Sequence, residues 1–321
     1  MTYEMKEGKK VLSVIIPAYN EQDNVPRAAS AISKLLSAHC IDYEIIFIND
    51  GSSDRTWQRL SQLAASDERI KAIGFSRNFG KESAIFAGLE NAVGDACVII
   101  DCDLQHPPET IIEMYRLWQT GDVDIVEAKK RTRGNESTAH RGMAKLFYKI
   151  IQRVSGLEME DSSDFKLLDR RAVEALMRMP ERLTFFRAMS SWVGFKTECV
   201  YFDVAERQSG SSKFSFASLV KYAVTSITSF TSAPMQMVTV AGVVTFIIAV
   251  IFGINTLVQK IMGTSAEGFS TVILLQLITS AIIMFSLGII GYYLAKIYEE
   301  IKQRPRYIIS ERLNMEENTR R

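Results

Sequence analysis

The sequence is poor in cysteine and carries almost no net charge. Four cysteines occur among its 321 residues, and none stands in a Cys-x-x-Cys pair or in a Cys/His spacing typical of zinc ligands. This pattern excludes a zinc site or a disulfide framework and favours reduced thiols. Lys and Arg number 38 against 37 for Asp and Glu, a net charge of +1. Because no overall field attracts nucleic acid, we expect no nucleic-acid partner.

Three common nucleotide-binding or catalytic motifs are also missing. The sequence contains no Gly-x-x-x-x-Gly-Lys, no Gly-x-Gly-x-x-Gly and no Gly-x-Ser-x-Gly segment. Phosphoryl transfer by a P-loop, dinucleotide binding and a nucleophile-elbow hydrolase are therefore unsupported. Hydrophobic residues make up 47% of the chain, which excludes a disordered or fibrous protein.

Charged residues are absent from two long stretches near the C-terminus. No Asp, Glu, Lys or Arg occurs between Lys221 and Lys260, or from residue 268 to 295. A membrane-spanning helix needs roughly 20 apolar residues. The sequence therefore predicts two transmembrane helices, at 235–258 and 271–295. A pair of buried core helices is the alternative interpretation.

Basic residues flank these two spans and predict their orientation. Lys213 and Lys221 precede the first span, and Lys296, Lys302, Arg304, Arg306 and Arg312 follow the second, whereas the linker at 259–270 holds one Lys and one Glu. The positive-inside rule places both chain ends in the cytoplasm, so we expect a multi-pass protein of the cytoplasmic (inner or plasma) membrane. No signal-peptide core is recognised, because the first apolar run, 11–16, is too short.

Residues 1 to about 130 alternate short β-branched runs with helical stretches. The pattern predicts strands at 11–16, 43–48, 70–75, 96–100 and 124–128, and helices at 24–37, 56–65, 81–92 and 109–118. Strands without polar alternation indicate a parallel sheet covered on both faces, hence an α/β domain. In such sheets ligands bind beyond the carboxyl ends of the strands.

Polar segments follow four of these strands at that edge. The clearest is Asp101-x-Asp103-x-Gln105, directly after an apolar strand. Carboxylate and amide oxygens suit Mg²⁺ or Mn²⁺, which takes one or two carboxylates and completes its sphere with water and substrate phosphate. A pair of turn-forming aspartates is the alternative. A divalent ion that bridges a diphosphate indicates nucleotide-sugar chemistry.

Six segments together resemble glycosyltransferase family 2, specifically its polyisoprenyl-phosphate glycosyltransferase group, which contains bactoprenol glucosyltransferases and dolichol-phosphate mannose synthase. The matching segments are Pro17-Ala-Tyr19-Asn-Glu21, Asn49-Asp50-Gly51-Ser52, Arg77-Asn78-Phe-Gly-Lys81, Asp101-Cys-Asp103-Leu-Gln105-His-Pro-Pro-Glu109, Asp164-Phe-Lys-Leu-Leu-Asp-Arg170 and Arg207-Gln-Ser-Gly210-Ser-Ser212-Lys213. The resemblance implies a GT-A fold, Rossmann-like with a mostly parallel sheet, followed by two transmembrane helices. The chain departs from the family pattern at Ser163, where Gly usually precedes the acid.

The resemblance divides the chain into four parts. It implies a cytoplasmic GT-A catalytic domain at 1–212, amphipathic juxtamembrane helices at 213–233, a transmembrane hairpin at 234–296 and a cytoplasmic tail at 297–321. Gly242, Gly253, Gly288 and Gly291 would permit close helix contacts in the membrane, which leaves a homo-oligomer open.

The resemblance also assigns roles to individual residues. The nucleotide-sugar residues would be Pro17, Tyr19, Glu21, Asp50, Asn78, Lys81 and Asp101. The metal ligands would be Asp101, Asp103 and Gln105, the catalytic residues Asp103, Asp164 and Arg207, and the acceptor-phosphate residues Arg131, Arg141, Arg207 and Lys213.

The reaction implied is inverting, metal-dependent transfer of one sugar to undecaprenyl phosphate for cell-envelope glycosylation. Glucose from UDP-glucose is the preferred donor; UDP-GlcNAc, 4-amino-arabinose and GDP-mannose donors are alternatives. A lipid phosphate is already anionic at neutral pH, with a second pKa of about 6, so Asp164 is expected to orient or balance charge; a general base is its alternative role. From another class, a non-catalytic membrane-anchored partner that binds nucleotide-sugar is the rival hypothesis.

Overall fold

The computed structural model describes residues 10–130, 163–179, 185–202, 233–263 and 268–315. The chain divides into two compact units, Met1–Lys213 with Arg304–Arg321, and Phe214–Gln303. Nearly all of the predicted juxtamembrane segment, 213–232, lies outside the described residues. So do the predicted acceptor-phosphate residues Arg131, Arg141, Arg207 and Lys213.

The described part of the first unit is built from eight strands and six helices. The strands are β1 (Val11–Ala18), β2 (Asp42–Asn49), β3 (Ile70–Phe75), β4 (Ala96–Ile99), β5 (Ile125–Lys130), β6 (Lys166–Asp169), β7 (Thr197–Phe202) and β8 (Ile309–Leu313). The helices are α1 (Asn24–Ala38), α2 (Thr56–Ser66), α3 (Lys81–Asn91), α4 (Thr110–Gln119), α5 (Arg170–Met177) and α6 (Phe186–Trp192).

All eight strands form one mixed sheet. Its order is β7-β5-β6-β4-β1-β2-β3-β8. Six strands run parallel, whereas β6 runs antiparallel to both its neighbours and β8 runs antiparallel to β3. The predicted α/β class with a mostly parallel sheet is confirmed, as are the five strands and four helices predicted before residue 130.

Apolar side chains on both faces of the sheet explain why its central strands lack polar alternation. On β1, Leu12, Val14 and Ile16 face one core cluster, which α1, α2 and α4 complete. Ile15 faces the other, which α3, α5 and α6 complete. The sheet is thus the middle of three layers, and its strands must be apolar at successive positions.

The strand β8 was not predicted from the sequence. It lies within the range 297–321, for which the sequence predicts a tail, and it pairs with the edge strand β3. Its sequence, Ile-Ser-Glu-Arg-Leu, is short and largely polar. Such composition suits an edge strand, which needs only one covered face and avoids pairing with other chains.

Glycine at position 51 lets two of the loops at the carboxyl edge approach each other. Gly51 has a φ of +64°, and a Cβ atom there would lie 2.3 Å from the carbonyl carbon of Arg77. The loop after β2 therefore packs backbone to backbone on the loop after β3. A left-handed φ and this close approach both favour glycine.

The second unit contains two long helices, α7 (Ala233–Ile261) and α8 (Phe269–Ile301), of 29 and 33 residues. Both are long and apolar enough to cross a membrane. They contain the whole of both predicted spans, 235–258 and 271–295. Large apolar residues such as Phe246 and Phe285 are about 70% exposed. Exposed apolar surface of this extent is unfavourable in water. The buried-core alternative is therefore not supported by these two helices.

We expect Gly51→Ala to destabilise the first unit more than Gly121→Ala does. Both glycines have positive φ, but an added Cβ at Gly121 meets no atom within 4 Å. In both variants the left-handed backbone lowers the free energy of unfolding by about 1–2 kcal/mol. In Gly51→Ala the overlap with Arg77 lowers it by roughly 1–3 kcal/mol more. Thermal unfolding of the purified protein in detergent measures the difference; equal unfolding midpoints would contradict the close packing of the two loops.

Candidate active site

The loops after β1 to β4 surround a cavity of about 340 Å³ at the carboxyl edge of the sheet. It is lined by Pro17, Ala18, Tyr19, Glu21, Asp50, Asn78, Gly80, Lys81, Ala84, Asp101, Cys102 and Asp103. All seven predicted nucleotide-sugar residues are on its wall, together with Asp103. Gln105 lies two residues beyond it. The topology of the parallel sheet thus brings together residues that the sequence separates by up to 86 positions.

Side-chain to backbone hydrogen bonds hold the first two loops together. The backbone N–H of Asn20 donates to Ser52 Oγ, and Asn20 Oδ1 accepts from the N–H of Ser53, both at 2.9 Å. The N–H of Glu21 donates to Thr56 Oγ1 at 2.9 Å. Asn20 itself has a φ of +57°, which Asn tolerates better than most residues. These bonds fix the part of the cavity wall that carries Tyr19 and Glu21.

Asp50 fixes the loop after β3. Its two carboxylate oxygens accept hydrogen bonds from the N–H groups of Phe79 and Gly80, at 2.6 and 2.9 Å. Burial raises the pKa of Asp50, and these two bonds partly offset that effect. Because α3 begins at Lys81, directly after this contact, Asp50 helps to place the Lys81 side chain. Its predicted role in recognising the base stays a prediction.

The acidic segment after β4 forms a tight turn. Leu104 has a φ of +54°, and the N–H of Gln105 donates to Asp103 Oδ1 at 3.1 Å. Within the described residues, no group of three or more His, Cys, Asp or Glu side chains has the geometry of a metal cage. Two carboxylates without a closed cage match the ligand set of Mg²⁺, which takes its other ligands from water and substrate phosphate.

The electrostatics of the cavity favour a cation. Among the described residues that line it, four bear a carboxylate (Glu21, Asp50, Asp101 and Asp103) and one, Lys81, bears an ammonium group. The pKa of Glu21 is raised, first by burial and further by the charges of Asp103 and Asp101. Mutual repulsion of this kind is relieved when a cation binds between carboxylates. The residues present therefore fit a divalent cation.

Lys81 joins this cavity to a second acidic residue. Its Nζ atom lies 2.5 Å from Asp101 Oδ1 and 2.9 Å from Asp164 Oδ2. Burial alone would lower the pKa of Lys81, but the charges of Asp101 and Asp164 outweigh it and raise the pKa. Lys81 therefore stays protonated and bridges two residues 63 positions apart that the sequence assigns to different roles.

Arg187 completes the surroundings of Asp164. Its Nε and its terminal nitrogen donate to the two oxygens of Asp164, at 2.7 and 3.1 Å. Burial would raise the pKa of Asp164, but the hydrogen bonds from Arg187 and the charge of Lys81 hold it well below its usual range. Sequence reasoning missed Arg187, since a lone arginine in an apolar segment, 23 residues from its partner, carries no local signal.

Glu82 is a second residue that sequence reasoning missed. Its carboxylate accepts a hydrogen bond from the N–H of Phe186, the first residue of α6, at 2.8 Å. Burial raises its pKa from 4.5 to about 7, and the nearby charge of Asp164 adds to the effect. The contact joins the start of α3 to the start of α6. It thereby places Arg187 opposite Lys81.

Ser163 shows how the chain accommodates its departure from the family pattern. Its Oγ donates to the carbonyl oxygen of Ala128 at 2.7 Å, and its N–H donates to Glu127 Oε1 at 3.1 Å. The same Glu127 oxygen lies 3.4 Å from the buried Lys166 Nζ, whose pKa burial lowers. A serine here ties the segment before Asp164 to β5.

Comparison with known proteins identifies the class. The family model described as Glycosyl transferase family 2 matches residues 13–177, which hold the whole cavity and Asp164. The chain belongs to this family and is a glycosyltransferase of GT-A fold.

Alignments with individual relatives cover nearly the whole chain. It is 37% identical over 300 residues to an Escherichia coli (strain K12) protein named prophage bactoprenol glucosyl transferase homolog, covering 93% of this chain and 98% of that protein. It is 36% identical over 300 residues to the SfII prophage-derived bactoprenol glucosyl transferase of Shigella flexneri, covering 93% and 97%. Among solved structures, glucosyl-3-phosphoglycerate synthase from Mycobacterium tuberculosis, in complex with Mn²⁺, UDP-glucose and phosphoglyceric acid, shares 20% identity. It has a TM-score of 0.45, over 68% of this chain and 76% of that one.

We expect Glu82→Gln to remove a pH-dependent part of the stability. The raised pKa means that the folded state binds the proton more tightly than the unfolded state. Wild-type stability should therefore fall as pH rises from about 5 to about 8, by roughly 3 kcal/mol at about 1.4 kcal/mol per pKa unit.

Glutamine keeps an acceptor oxygen for Phe186, so the variant should lose less stability than wild type over the same pH range. Unfolding in detergent from pH 5 to pH 8 measures this. Glu113→Gln, at an exposed position on α4, is the control and should follow wild type. Parallel curves for Glu82→Gln and wild type would contradict the raised pKa.

Proposed function

We propose that this glycosyltransferase moves one glucose from UDP-glucose to undecaprenyl phosphate at the cytoplasmic face of the membrane, with inversion at the anomeric carbon. The observation that carries the proposal is the cavity at the sheet edge, whose described lining residues bear four carboxylates and one ammonium group. Such a cavity repels a diphosphate unless a divalent cation binds with it. The names of the relatives from Escherichia coli and Shigella flexneri support the acceptor and the sugar.

The donor would bind with its diphosphate near Asp101 and Asp103. These carboxylates, with the amide oxygen of Gln105, would hold Mg²⁺ or Mn²⁺, which when bound neutralises charge on the departing diphosphate as a Lewis acid. Tyr19, a residue that is 49% exposed, offers an aromatic face on which a nucleobase can stack. Pro17, Asp50 and Asn78 would enclose the rest of the nucleoside.

The acceptor supplies its own nucleophile. A phosphate oxygen of the lipid forms a bond to the anomeric carbon as the bond from that carbon to the diphosphate oxygen breaks, and the bonding electrons leave with UDP. No proton has to be removed, because the phosphate is already anionic above its second pKa of about 6. Asp164 is a weak base, since Arg187 and Lys81 lower its pKa. It would therefore balance and orient these two cations.

Cations outside the described residues would bind the acceptor phosphate. We propose Arg131, Arg141, Arg207 and Lys213 for this role, because two anionic substrates that meet at one carbon require compensating positive charge.

The pairing of β8 with β3 supports the proposed topology. Residues 309–313 belong to the same sheet as residues 72–75, so both lie on one side of a membrane. The chain must therefore cross it an even number of times between them. The two candidate spans satisfy this requirement, and both ends of the hairpin then lie with the catalytic domain, as the proposed cytoplasmic location of 1–212 and 297–321 requires.

We expect transfer of radiolabel from UDP-glucose to undecaprenyl phosphate in detergent with Mg²⁺ or Mn²⁺. Asp103→Asn should lower the rate at least 100-fold, because it removes one carboxylate of the cation site, and a chelator should do the same. Asp122→Asn, an exposed aspartate in the turn before β5, is the control and should keep the wild-type rate.

Parallel assays with UDP-GlcNAc, UDP-galactose and GDP-mannose test the donor. A lipid product from one of these alone would replace glucose in the proposal. Nucleotide binding without a lipid product from any donor would favour the non-catalytic partner.

We expect Asp164→Asn to lower the rate without changing the shape of its pH dependence. The change removes the negative charge that lies between Lys81 and Arg187, so the two cations repel each other more strongly and a 10- to 1,000-fold loss of rate should appear at every pH. In both proteins the rate should rise through about pH 6 as the lipid phosphate ionises and then level off. If the wild type showed an additional acidic limb that Asp164→Asn abolished, Asp164 would be a general base.

A further inference from the structure

The chain returns to the catalytic sheet after its second long helix. From Ile309 to Leu313 it pairs with β3, with Ala72 opposite Leu313 and Phe75 opposite Ile309. One further hydrogen bond, 3.0 Å long, runs from the N–H of Ser76 to the carbonyl oxygen of Ile308. The ladder thus extends to the residue immediately before the segment 77–81, which carries Asn78 and Lys81.

Aromatic contacts continue this support into the cavity wall. The ring of Tyr307 stacks on Phe75, with centroids 5.0 Å apart and an interplanar angle of 14°. Phe75 in turn meets Phe79 edge to face, at 5.7 Å. The N–H of Phe79 is the group that donates to Asp50 Oδ1. A continuous series of contacts therefore runs from Tyr307 to a residue of the donor cavity.

Polar side chains hold the same stretch on the helices of both faces. Trp57 Nε1 on α2 donates to Glu311 Oε2 at 2.8 Å. Asn314 Nδ2 donates to the carbonyl oxygens of Ala64 and Ile70, at 2.6 and 2.9 Å. The Tyr307 hydroxyl donates to the carboxylate of Glu90 on α3. These specific contacts show that the stretch is packed on the catalytic sheet and its helices, as an integral part of the first unit.

Arg306 extends the contacts towards Asp164. Its guanidinium lies over the ring of Phe86, 5.0 Å from the centroid, and donates to the carbonyl oxygen of Met179 at 2.9 Å. Phe86 packs edge to face against Phe186, with centroids 6.4 Å apart. Phe186 is the neighbour of Arg187, which pairs with Asp164. The stretch therefore contacts residues that pack beside both Lys81 and Arg187, the two cations that pair with Asp164.

We propose that residues 306–314, which we name the C-terminal clamp, position the segment 76–81 for donor binding. The clamp is part of the catalytic unit although the chain reaches it only after both candidate spans. Tyr307 is its central positioning residue, because it contacts both Phe75 and Glu90. Donor affinity then depends on chain beyond the membrane helices. The identity of the donor rests on the proposed function; the order of segment 76–81 does not.

The first test compares hydrogen exchange of the amides of residues 76–81 in the full chain and in Tyr307→Ala, both in detergent. We expect exchange at least tenfold faster in the variant. Tyr307→Phe keeps the stacked ring and loses only the bond to Glu90, so it should stay within about threefold of wild type. Unchanged protection in Tyr307→Ala would overturn the proposal, and this readout needs no substrate.

The second test removes the clamp and returns it as a peptide. A chain ending at Gln303 should bind UDP at least tenfold more weakly than the full chain, and a synthetic peptide of residues 304–315 should restore binding by adding the missing strand. A chain ending at Met315 keeps the clamp and is the control.

Wild-type affinity for UDP in the chain ending at Gln303 would contradict the proposed role of the clamp. If that chain does not fold, the ratio of donor KM to acceptor KM in Tyr307→Ala decides. A rise in donor KM alone supports the clamp, whereas equal changes in both overturn it. Absence of UDP binding or lipid product in the full chain would instead count against the proposed function, and the exchange experiment would still judge the clamp.

Discussion

The ammonium group of Lys81 is the interaction on which the rest of the site depends. It lies between Asp101, on the wall of the cavity, and Asp164, which stands two residues before β6. Without it, Asp101 would lose the ion pair with Lys81, and the buried Asp164 would keep Arg187 as its ion-pair partner among the described residues. The Lys81 side chain is 42% exposed, so solvent screens these ion pairs and their loss costs less than the roughly 3–5 kcal/mol that applies to a fully buried pair. The position of this one side chain therefore constrains the loops, helices and edge strand that surround it.

The fold satisfies this constraint with several contacts at the carboxyl edge of the sheet that fix the start of α3. Asp50 binds the N–H groups directly before α3, Gly51 allows the neighbouring loops to touch, and Glu82 ties the next helical residue to α6. Each contact is worth only about 1–3 kcal/mol, but they act on consecutive residues of one segment. Together they keep Lys81 within bonding distance of two carboxylates that would otherwise be free to move apart.

How much of this could be predicted depends on whether the signal was local. The strands β1 to β5 were predictable because each is a contiguous β-branched run, and Asp101 with Asp103 because both stand in one short segment after a strand. Arg187 and Glu82 could not be predicted as site residues. Their partners, Asp164 and Phe186, lie 23 and 104 residues away in the sequence, and only the tertiary structure brings each pair together. The strand β8 could not be predicted either, because its largely polar sequence follows two apolar helices and is typical of an unstructured C-terminal tail. Its partner, β3, lies more than 230 residues earlier.

The charges of the site favour charge balance over proton transfer as its chemical task. In the proposed reaction two anions meet at one carbon, so the site needs several cations close together, and cations repel each other as carboxylates do. Asp164 answers this need, because its two oxygens hold Lys81 and Arg187 side by side. The same bonds that make it an effective counter-charge lower its pKa and make it a poor base. An acidic residue at this position is therefore useful even though the acceptor brings no proton to remove, and its value lies in the two cations that it keeps near the reacting groups.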